Sequence, residues 1–380
     1  MKPIYLDWNA TTPPHPEVIA AMVRVWEQAW ANPASVHGPG QKARAHVDQA
    51  REAVAALAGA PFEARDVVLT SGGTEANNLA LAHVFATPGG ALVTSRIEHP
   101  SVVRAAEALA DRGVVVAWVA PEASGRIAPE AVAEAIDRAQ PSAEVRLVTL
   151  QAVNHETGVV QPVAEVAEVV HARGARLHVD AVQAMGRLDP ATWRGADLLA
   201  LAAHKLRGPK GIGALIPRPG IALRPLLFGG AQERGLRPGT QDAAAAAGFA
   251  VAATRAAEGP RRYAEVAALR DRLEASLLQL GAPPPIRNGE GTRAPHVANL
   301  SWPGWRGDEL CAALDLEGVA VSSGSACAAG TAEPSPVLLA MVGLARAASA
   351  VRVSLGEETT AADIDEALVR WARVVARAPR

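Results

Sequence analysis

Between about residue 40 and residue 216, segments with the periodicity of helices alternate with short, almost entirely apolar segments. The sequence QKARAHVDQAREAVAALAGA predicts a helix and DVVLT predicts a buried strand, and the two patterns then alternate through the strands ALVTS, VVVAWV, EVRLVTL and RLHVD. Strands joined by helices pair in parallel, because each helix returns the chain to the same end of the sheet. The alternation therefore predicts an α/β fold with a mainly parallel sheet covered by helices.

The pattern changes near residues 255–260. A long helix is predicted over 261–281, and the remaining chain mixes shorter helices and strands, which is typical of a smaller α+β unit. We therefore expect two domains, a large one formed by residues 14–257 and a small one formed by residues 1–13 together with 258–380.

Charge and cysteine content exclude several classes of function. The formal net charge of the 380 residues is −2, so nothing favours binding to nucleic acid or to an anionic membrane. No window reaches eighteen uninterrupted apolar residues, and the N-terminus does not have the pattern of a signal peptide. The two cysteines are too few for a disulfide framework, so we expect a cytoplasmic protein in a reducing compartment.

Polar side chains follow several of the predicted strands. Lys205 ends the apolar segment LLALAAHK, Asp180 ends RLHVD with Gln183 three residues later, and His99 follows ALVTS. Each also has a purely structural interpretation. Lys205 would be a surface lysine, and the side chains of Asp180 and His99 would each cap a helix. In an open α/β sheet, however, ligands bind at the carboxyl ends of the strands.

Two further segments contain groups that could bind a ligand at the carboxyl ends of the strands. In VVLTSGGTEANN, two glycines follow a strand, and Thr74 is expected to cap a helix that begins near Glu75, whose free N–H groups would hold a phosphate. Arg352, in VRVSLG, offers a guanidinium that can bind a carboxylate through two hydrogen bonds. A phosphate-binding turn, a buried aspartate, a histidine, a strand-end lysine and an arginine together predict a site for pyridoxal 5′-phosphate (PLP). Lys205 is preferred over Lys210, which lies in the turn RGPKG.

Motifs along nearly the whole chain resemble those of the cysteine desulfurases, PLP-dependent members of the class V aminotransferase group. They are YLDWNATTP, NPASVHGPGQKAR, SGGTEANNLAL, EHPSV, NHETGVVQPV, HVDAVQ, HKLRGPKGIGAL, GGAQERGLRPGT, VSSGSACAAGTAEPSPVL and VRVSLG. The resemblance implies the fold type I of PLP-dependent transferases. It also implies that sulfur is removed from L-cysteine, leaving L-alanine and a persulfide on the enzyme.

The resemblance assigns roles to individual residues. It implies that Lys205 binds PLP as a Schiff base, that His99 stacks over the pyridine ring and moves protons, and that Asp180 pairs with the ring nitrogen. The substrate carboxylate would be bound by Asn32 and Arg352. The residues expected to contact the cofactor are Gly73, Thr74, His155, Asp180, Gln183, His204, Lys205 and, from the neighbouring subunit, Thr240.

The two cysteines have different surroundings. Cys311 lies in the amphipathic segment CAALDLEG, where it is expected to act as a small apolar residue. Cys327 follows VSSGSA and precedes AAGTAEPS, and the resemblance places the family's nucleophile on it. His99 and the substrate amine are both candidates for the group that takes the proton from its thiol, and the sequence does not choose between them.

Two positions depart from the family pattern. His155 stands where an asparagine that contacts the cofactor is common, and Ala202 stands where a serine commonly donates to the phosphate. The alternatives are therefore another class V enzyme, such as a selenocysteine lyase or an aminotransferase, or a cofactor-binding protein with reduced activity. The SSGSAC segment favours sulfur chemistry.

Assembly and partners follow from the resemblance. The segment GGAQERGLRPGT, rich in turn-forming residues, would carry Thr240 into the site of a second subunit, so a homodimer is expected. A sulfur-acceptor protein, such as a scaffold for iron–sulfur clusters, is the implied partner. No metal is assigned.

Overall fold

The structure is a computed structural model that describes residues 3–84, 89–324 and 333–377. Its strands in chain order are β1 (Ile4–Tyr5), β2 (Val68–Thr70), β3 (Ala91–Ser95), β4 (Val115–Val119), β5 (Val145–Gln151), β6 (Arg176–Asp180), β7 (Leu198–Ala202), β8 (Gly213–Pro217), β9 (Ile286–Arg287), β10 (Val297–Ser301), β11 (Val319–Ala320) and β12 (Ala350–Ser354).

A seven-stranded sheet occupies the centre of the molecule, in the order β2-β8-β7-β6-β5-β3-β4. The strands from β7 to β4 pair in parallel, and β8 runs antiparallel to both of its neighbours. The prediction of an α/β fold with a mainly parallel sheet is confirmed. Because the parallel strands end on the same side, their last residues form one edge, which we call the carboxyl edge.

Helices cover the sheet and extend the chain beyond it. They are α1 (Pro16–Gln28), α2 (Gly38–Ala58), α3 (Gly73–Val84), α4 (Pro100–Asp111), α5 (Pro129–Ala139), α6 (Val163–Ala172), α7 (Ala243–Ala256), α8 (Gly259–Leu277), α9 (Gly307–Leu316), α10 (Pro336–Val342), α11 (Leu344–Ala348) and α12 (Ala361–Val375). Within the described ranges, none of these helices combines the length and the apolar character needed to cross a membrane.

Local sequence explains why α7 forms and where it packs. Asp242 caps it by accepting a hydrogen bond of 2.9 Å from the backbone N–H of Ala245. The alanines that follow favour a helix and leave little bulk, so α7 packs closely against α1 and α2.

A second apolar core lies away from the large sheet. It joins Ile4 and Leu6 at the N-terminus to Tyr263 of α8 and Trp371 of α12. Beside it, β12, β10 and β9 form an antiparallel sheet, and β1 pairs with β11. This packing supports a small domain made of both chain ends, while the boundary at residues 257/258 stays a prediction.

Candidate active site

The carboxyl edge brings together side chains that follow four neighbouring strands. Lys205 lies in a short 3-10 turn after β7, and Asp180 is the last residue of β6. His155 follows β5 by four residues, and His99 follows β3 by four. Since β7, β6, β5 and β3 are consecutive in the sheet, the four side chains lie in sheet order along one edge.

The Lys205 amine is held by the N-terminal segment. Its Nζ donates to the carbonyl oxygen of Asn9 and, at 2.8 Å, to that of Ala10. Lys210 is exposed in the turn that follows. Of the two lysines, Lys205 is therefore the one placed at the carboxyl edge beside β6.

The Asp180 carboxylate is buried and accepts two hydrogen bonds. One comes from the Asn77 side-chain amide at 2.8 Å, and the other from the backbone N–H of Val182 at 3.0 Å. The residues after Asp180 form turns rather than a helix, so this carboxylate is not a helix cap. Asn77 comes from the first turns of α3, and sequence analysis gave it no role.

His99 caps the N-terminus of α4. Its Nδ1 accepts from the backbone N–H of Ser101 at 3.1 Å and lies 2.8 Å from the Ser101 hydroxyl. Burial lowers the pKa of the His99 imidazole; the charge of Asp180 opposes this shift, and that of Lys205 adds to it. His99 is therefore neutral at physiological pH.

His155 faces His99 edge to face, with ring centroids 5.2 Å apart. Burial holds the pKa of His155 well below its usual range, and His99, Arg352 and Lys205 lower it further. The backbone oxygen of His155 accepts from the Arg352 guanidinium at 3.0 Å and from the Asn9 amide at 3.1 Å. These bonds fix the turn that carries His155.

The turn between β2 and α3 is the segment predicted to bind a phosphate. Gly72 has φ +155°, a conformation that favours glycine, and a Cβ added at Gly73 would lie 2.9 Å from Val182 Cγ2. The helix begins at Gly73, so the prediction that Thr74 caps a helix starting near Glu75 is wrong. Thr74 lies in the first turn, exposed, where its hydroxyl and the helix N–H groups can face an anion.

His204 directly precedes Lys205 in the 3-10 turn after β7. Its Nδ1 is 3.1 Å from the Thr11 hydroxyl. Burial, followed by the charges of Lys205, Lys210 and Arg187, lowers the pKa of His204 to about 4.

The two residues predicted to bind a substrate carboxylate lie in different surroundings. Arg352 is buried, donates to Asp7 at 2.8 Å, and its Nε has no hydrogen-bond partner among the described residues. Asn32 lies in the exposed turn between α1 and α2, where its side-chain oxygen accepts from the backbone N–H of Ala34.

Asn9 connects the parts of this site and was missed by sequence analysis. Its carbonyl oxygen accepts from Lys205 and from the Gln183 side chain at 3.1 Å. Its side-chain oxygen lies 2.8 Å from His296 Nε2, and its backbone N–H donates to the Ser354 hydroxyl at 2.9 Å. Asn9 lies inside the quoted motif YLDWNATTP, but these contacts are with distant residues.

The remaining predicted residues are Thr240, which is exposed before α7, and the two cysteines. Cys327 lies outside the described residues. Cys311 lies in α9, where burial, with a smaller contribution from Asp7, raises the pKa of its thiol to about 12. A thiol that stays protonated is a poor nucleophile, as expected for an apolar packing residue.

Comparison with known proteins identifies the family. The Aminotransferase class-V family model matches residues 4–367. A cysteine desulfurase from Bradyrhizobium diazoefficiens is 40% identical over 391 aligned residues, which cover 99% of this chain and 95% of that protein. The chain belongs to the cysteine desulfurase family.

Solved structures of related proteins support the same assignment. A NifS-like protein has a TM-score of 0.89 and 31% identity, covering 98% of this chain and 99% of that one. A structure titled SspA in complex with cysteine has a TM-score of 0.79 and 32% identity, covering 94% of this chain and 99% of that one. The fold and family predictions are confirmed, and as a cysteine desulfurase the protein is a PLP-dependent enzyme of the class V aminotransferase group.

The donor set of this cysteine desulfurase fits PLP. The cofactor needs an amine for covalent attachment, a carboxylate for its ring nitrogen and donors for its phosphate. Lys205 and Asp180 supply the first two from adjacent strands, and the N–H groups at the start of α3 are available as donors for the phosphate. At the two positions that depart from the family pattern, Ala202 is buried beside Gly73 and the His155 ring lies against His99.

Proposed function

We propose that the protein removes sulfur from L-cysteine and leaves L-alanine and a persulfide on Cys327. The observation that carries this proposal is the placement of Lys205 and Asp180 at the ends of adjacent strands in a member of the cysteine desulfurase family. The related structure that contains cysteine supports L-cysteine as the substrate.

The chain supplies the groups that hold the cofactor. When bound, PLP provides an electron sink that weakens a bond at the substrate carbon. Lys205 would hold it covalently, Asp180 would keep its ring nitrogen protonated, and Gln183 would contact its 3-hydroxyl oxygen. Gly73, Thr74, His155 and His204 would complete the contacts from the same chain.

Arg352 would orient the substrate. Its Nε is buried without a partner among the described residues, and a substrate carboxylate is an acceptor that can satisfy it. Asp7 holds the other side of the guanidinium at 2.8 Å, which restricts the direction from which a carboxylate can approach. We assign Asn32 to the same carboxylate from the family motif.

Cys327 would receive the sulfur. Its thiolate forms an S–S bond with the substrate sulfur as the Cβ–S bond breaks. The electron pair of the broken bond stays with the carbon fragment, which takes up protons and leaves as alanine. Cys311 is unsuited to this role because its pKa is raised to about 12.

The persulfide would pass to a sulfur-acceptor protein in the cytoplasm, such as a component of iron–sulfur cluster assembly. We propose that the enzyme acts as a homodimer in which Thr240 reaches the phosphate of the partner site. Large apolar side chains support an interface: Trp30 is 78% exposed and Phe228 is 89% exposed. Phe228 lies just before the segment 229–240 that carries Thr240.

Alanine formation from L-cysteine, measured with purified holoenzyme, tests the activity. Lys205→Ala should lower the rate by about 1,000-fold or more, whereas Lys210→Ala should leave it unchanged. Borohydride should fix the cofactor to Lys205, and labelling of Lys210 alone would contradict the assignment.

Persulfide detection tests the role of Cys327. Cys327→Ser should abolish the persulfide while the spectrum of bound cofactor stays intact, and Cys311→Ser should be nearly silent. Efficient reaction with selenocysteine or amino-group transfer, with no alanine from L-cysteine, would identify one of the other class V activities instead.

Subunit exchange tests the shared site. Mixing Lys205→Ala with Thr240→Trp should restore activity, because the mixed dimer has one site with both lesions and one site with neither. If exchange is demonstrated and no activity returns, Thr240 does not act across the interface.

A further inference from the structure

The segment 229–240, which carries Thr240, is fixed to its own chain by a buried carboxylate. Glu233 lies in the middle of this segment, and its side chain is only 1% exposed. The carboxylate accepts hydrogen bonds from the Arg51 guanidinium at 2.7 Å, from the backbone N–H of Leu69 at 3.0 Å and from the side-chain amide of Gln241. Glu233 thus connects the residue that follows Thr240 to α2 and to β2.

The backbone at Glu233 has a conformation that residues with a Cβ rarely adopt. Glu233 has φ +47° and Arg234 has φ +58°, both in the left-handed region. Such a conformation persists where surrounding contacts hold it, and it is concentrated at functional sites. Here the contacts are those of the Glu233 carboxylate and those of the Arg234 guanidinium, which donates to the carbonyl oxygens of Asp66 at 3.0 Å and Val67 at 3.1 Å. The segment is therefore held against β2 and the residues just before it.

β2 leads directly into the turn proposed to bind the phosphate of the same chain. It lies at the edge of the sheet, and the N–H of Leu69 donates to Glu233 rather than to another strand. β2 ends at Thr70, and α3 begins at Gly73. The position of the Glu233 carboxylate therefore affects where this turn lies.

Arg237 makes a second connection to the same turn. Its Nε lies 3.1 Å from Glu75 Oε1, and Glu75 Oε2 accepts from the backbone N–H of Ser71 at 2.7 Å. Burial would raise the pKa of Glu75, but the hydrogen bonds from Ser71 and Arg237 outweigh it, so the pKa is lowered and the carboxylate is ionised. An ionised carboxylate in the first turn of α3 would repel a phosphate bound there, and the guanidinium of Arg237 offsets this charge.

We propose that Glu233 and Arg237 are positioning residues that fix a phosphate contact in each of the two sites of the dimer: the turn between β2 and α3 at their own chain's cofactor, and Thr240 at the partner's cofactor. The inference rests on the proposed function, in which Thr240 reaches the site of the partner subunit. Gln241 bonds to Glu233 and directly follows Thr240, so a displaced carboxylate moves Thr240 as well as β2. Each subunit therefore influences the cofactor affinity of both sites.

The affinity of the apoenzyme for PLP tests the role of Glu233 without turnover. Glu233→Gln removes the charge and replaces one accepting oxygen with a donor, so the dissociation constant of PLP, measured by absorbance, should rise about 10-fold. Arg51 keeps its bond to Asp48 at 2.6 Å, so its guanidinium stays paired in this variant. Glu265→Gln, at an exposed position of α8, is the matched control and should leave the constant unchanged.

A second series tests Arg237, whose side chain is partly exposed. Arg237→Gln leaves Glu75 without its cation and should raise the dissociation constant of PLP about 5-fold. Arg237→Lys keeps the charge and should recover most of the affinity, which a role in packing alone would not explain. Arg224→Gln, at an exposed position, is the matched control.

Heterodimers separate the two phosphate contacts. A Lys205→Ala subunit cannot attach PLP, so the absorbance of attached PLP reports only the site of the intact subunit. That site uses the phosphate turn of the intact subunit and Thr240 of the Lys205→Ala subunit. With Glu233→Gln placed in either subunit in turn, we expect the affinity of this site to fall about 3-fold in each arrangement. Two affinity tags, used in sequence, select the heterodimer.

Each outcome decides the proposal. A loss of affinity in only one arrangement would overturn it, because Glu233 would then act on a single site, and so would unchanged affinity in the Glu233→Gln homodimer. If thermal melting shows that Glu233→Gln does not fold, Arg237→Gln is placed in the same two arrangements and judged by the same criterion. Thr240→Ala in the Lys205→Ala subunit tests the proposed function separately: if the affinity of the intact site stays unchanged, Thr240 does not cross the interface, whatever the result for Glu233.

Discussion

The interior of the seven-stranded sheet and its carboxyl edge are built in opposite ways. In the interior, β7 contributes five consecutive buried apolar side chains, from Leu198 to Ala202. A few residues away, the edge buries the polar groups of Asn9, Asn77 and Asp180. The interior stabilises the fold by removing apolar surface from water, whereas the edge keeps polar groups buried in positions where chemistry can use them.

The difference lies in where the partners come from. The interior packs residues of neighbouring strands, but the contact between Asn77 and Asp180 joins positions 103 apart, and that between Asn9 and Ser354 joins positions 345 apart. Such long-range partners satisfy the Asp180 carboxylate and the Asn9 backbone N–H, which would be unfavourable if buried without a partner. We therefore expect substitutions at the edge to affect catalysis, and substitutions in the interior to affect stability.

The largest expected effect is at the edge. Asp180→Asn keeps the shape of the side chain but removes its charge, so kcat for L-cysteine should fall by about 100- to 1,000-fold. Because the amide can replace only one of the two accepting oxygens, thermal stability should also fall, by about 1–3 kcal/mol. Steady-state kinetics and thermal melting measure the two quantities. The control is Asp137→Asn, which removes an exposed carboxylate bonded to Arg173 and should leave kcat unchanged.

A substitution in the interior should give the opposite result. Leu199→Ala removes a fully buried side chain from β7 and should lower the free energy of unfolding by about 2–5 kcal/mol, as measured by chemical denaturation. kcat per folded, cofactor-loaded molecule should stay within a factor of about 3 of the original, since the backbone of β7 still positions Lys205. Leu316→Ala, at a side chain 90% exposed, is the control and should change neither.

His178 is a polar residue in the interior and sharpens the comparison. It lies fully buried in β6, its Nδ1 is 2.8 Å from the Thr149 hydroxyl, and burial lowers the pKa of its ring to about 4. In the unfolded chain the His178 ring takes up a proton near pH 6.5, whereas in the folded protein it does so only near pH 4. The free energy of unfolding therefore decreases as pH falls from about 6.5 to about 4, by at most about 3 kcal/mol for this residue.

Denaturation at pH 7.5, 5.5 and 4.5 measures this loss. His178→Leu should show a smaller decrease in the free energy of unfolding between pH 7.5 and pH 4.5 than the unsubstituted protein. Equal decreases in the two proteins would mean that His178 does not titrate as its burial requires.

The smallest effect is expected from an added hydroxyl at the edge. Ala202→Ser places an oxygen beside the turn at Gly73 and should tighten cofactor binding about 5-fold, equivalent to about 1 kcal/mol. The dissociation constant of PLP, measured by absorbance, is the readout. The exposed substitution Ala34→Ser is the control, and equal affinities in all three proteins would show that Ala202 does not face the phosphate.

The same contrast explains what sequence could predict. The strands of the interior and the placement of Lys205 after β7 follow from local patterns, because hydrophobic periodicity records which face is buried. Thr74 was misplaced as a cap, because Gly72 and Gly73 let α3 begin two residues before the expected Glu75.

Residues that act through distant partners were not predictable in this way. Asn77 and Ser101 lie in quoted motifs. Nothing near them in the sequence indicates that Asn77 bonds to both Asp180 and Ser101. Gln151 directly follows the predicted strand EVRLVTL, and its contact with His155 is visible only once the following turn is folded. Side chains that position others need the folded arrangement to be recognised.

The contacts of Asn9 have a consequence for the biogenesis of the enzyme. Asn9 is synthesised 345 residues before Ser354, to which it bonds. At roughly 5–20 residues per second, the N-terminal segment waits on the order of 20–70 s for this partner to be synthesised. The segment that holds the Lys205 amine therefore gains this contact only after Ser354 has been made, and we expect the cofactor to be acquired after that point.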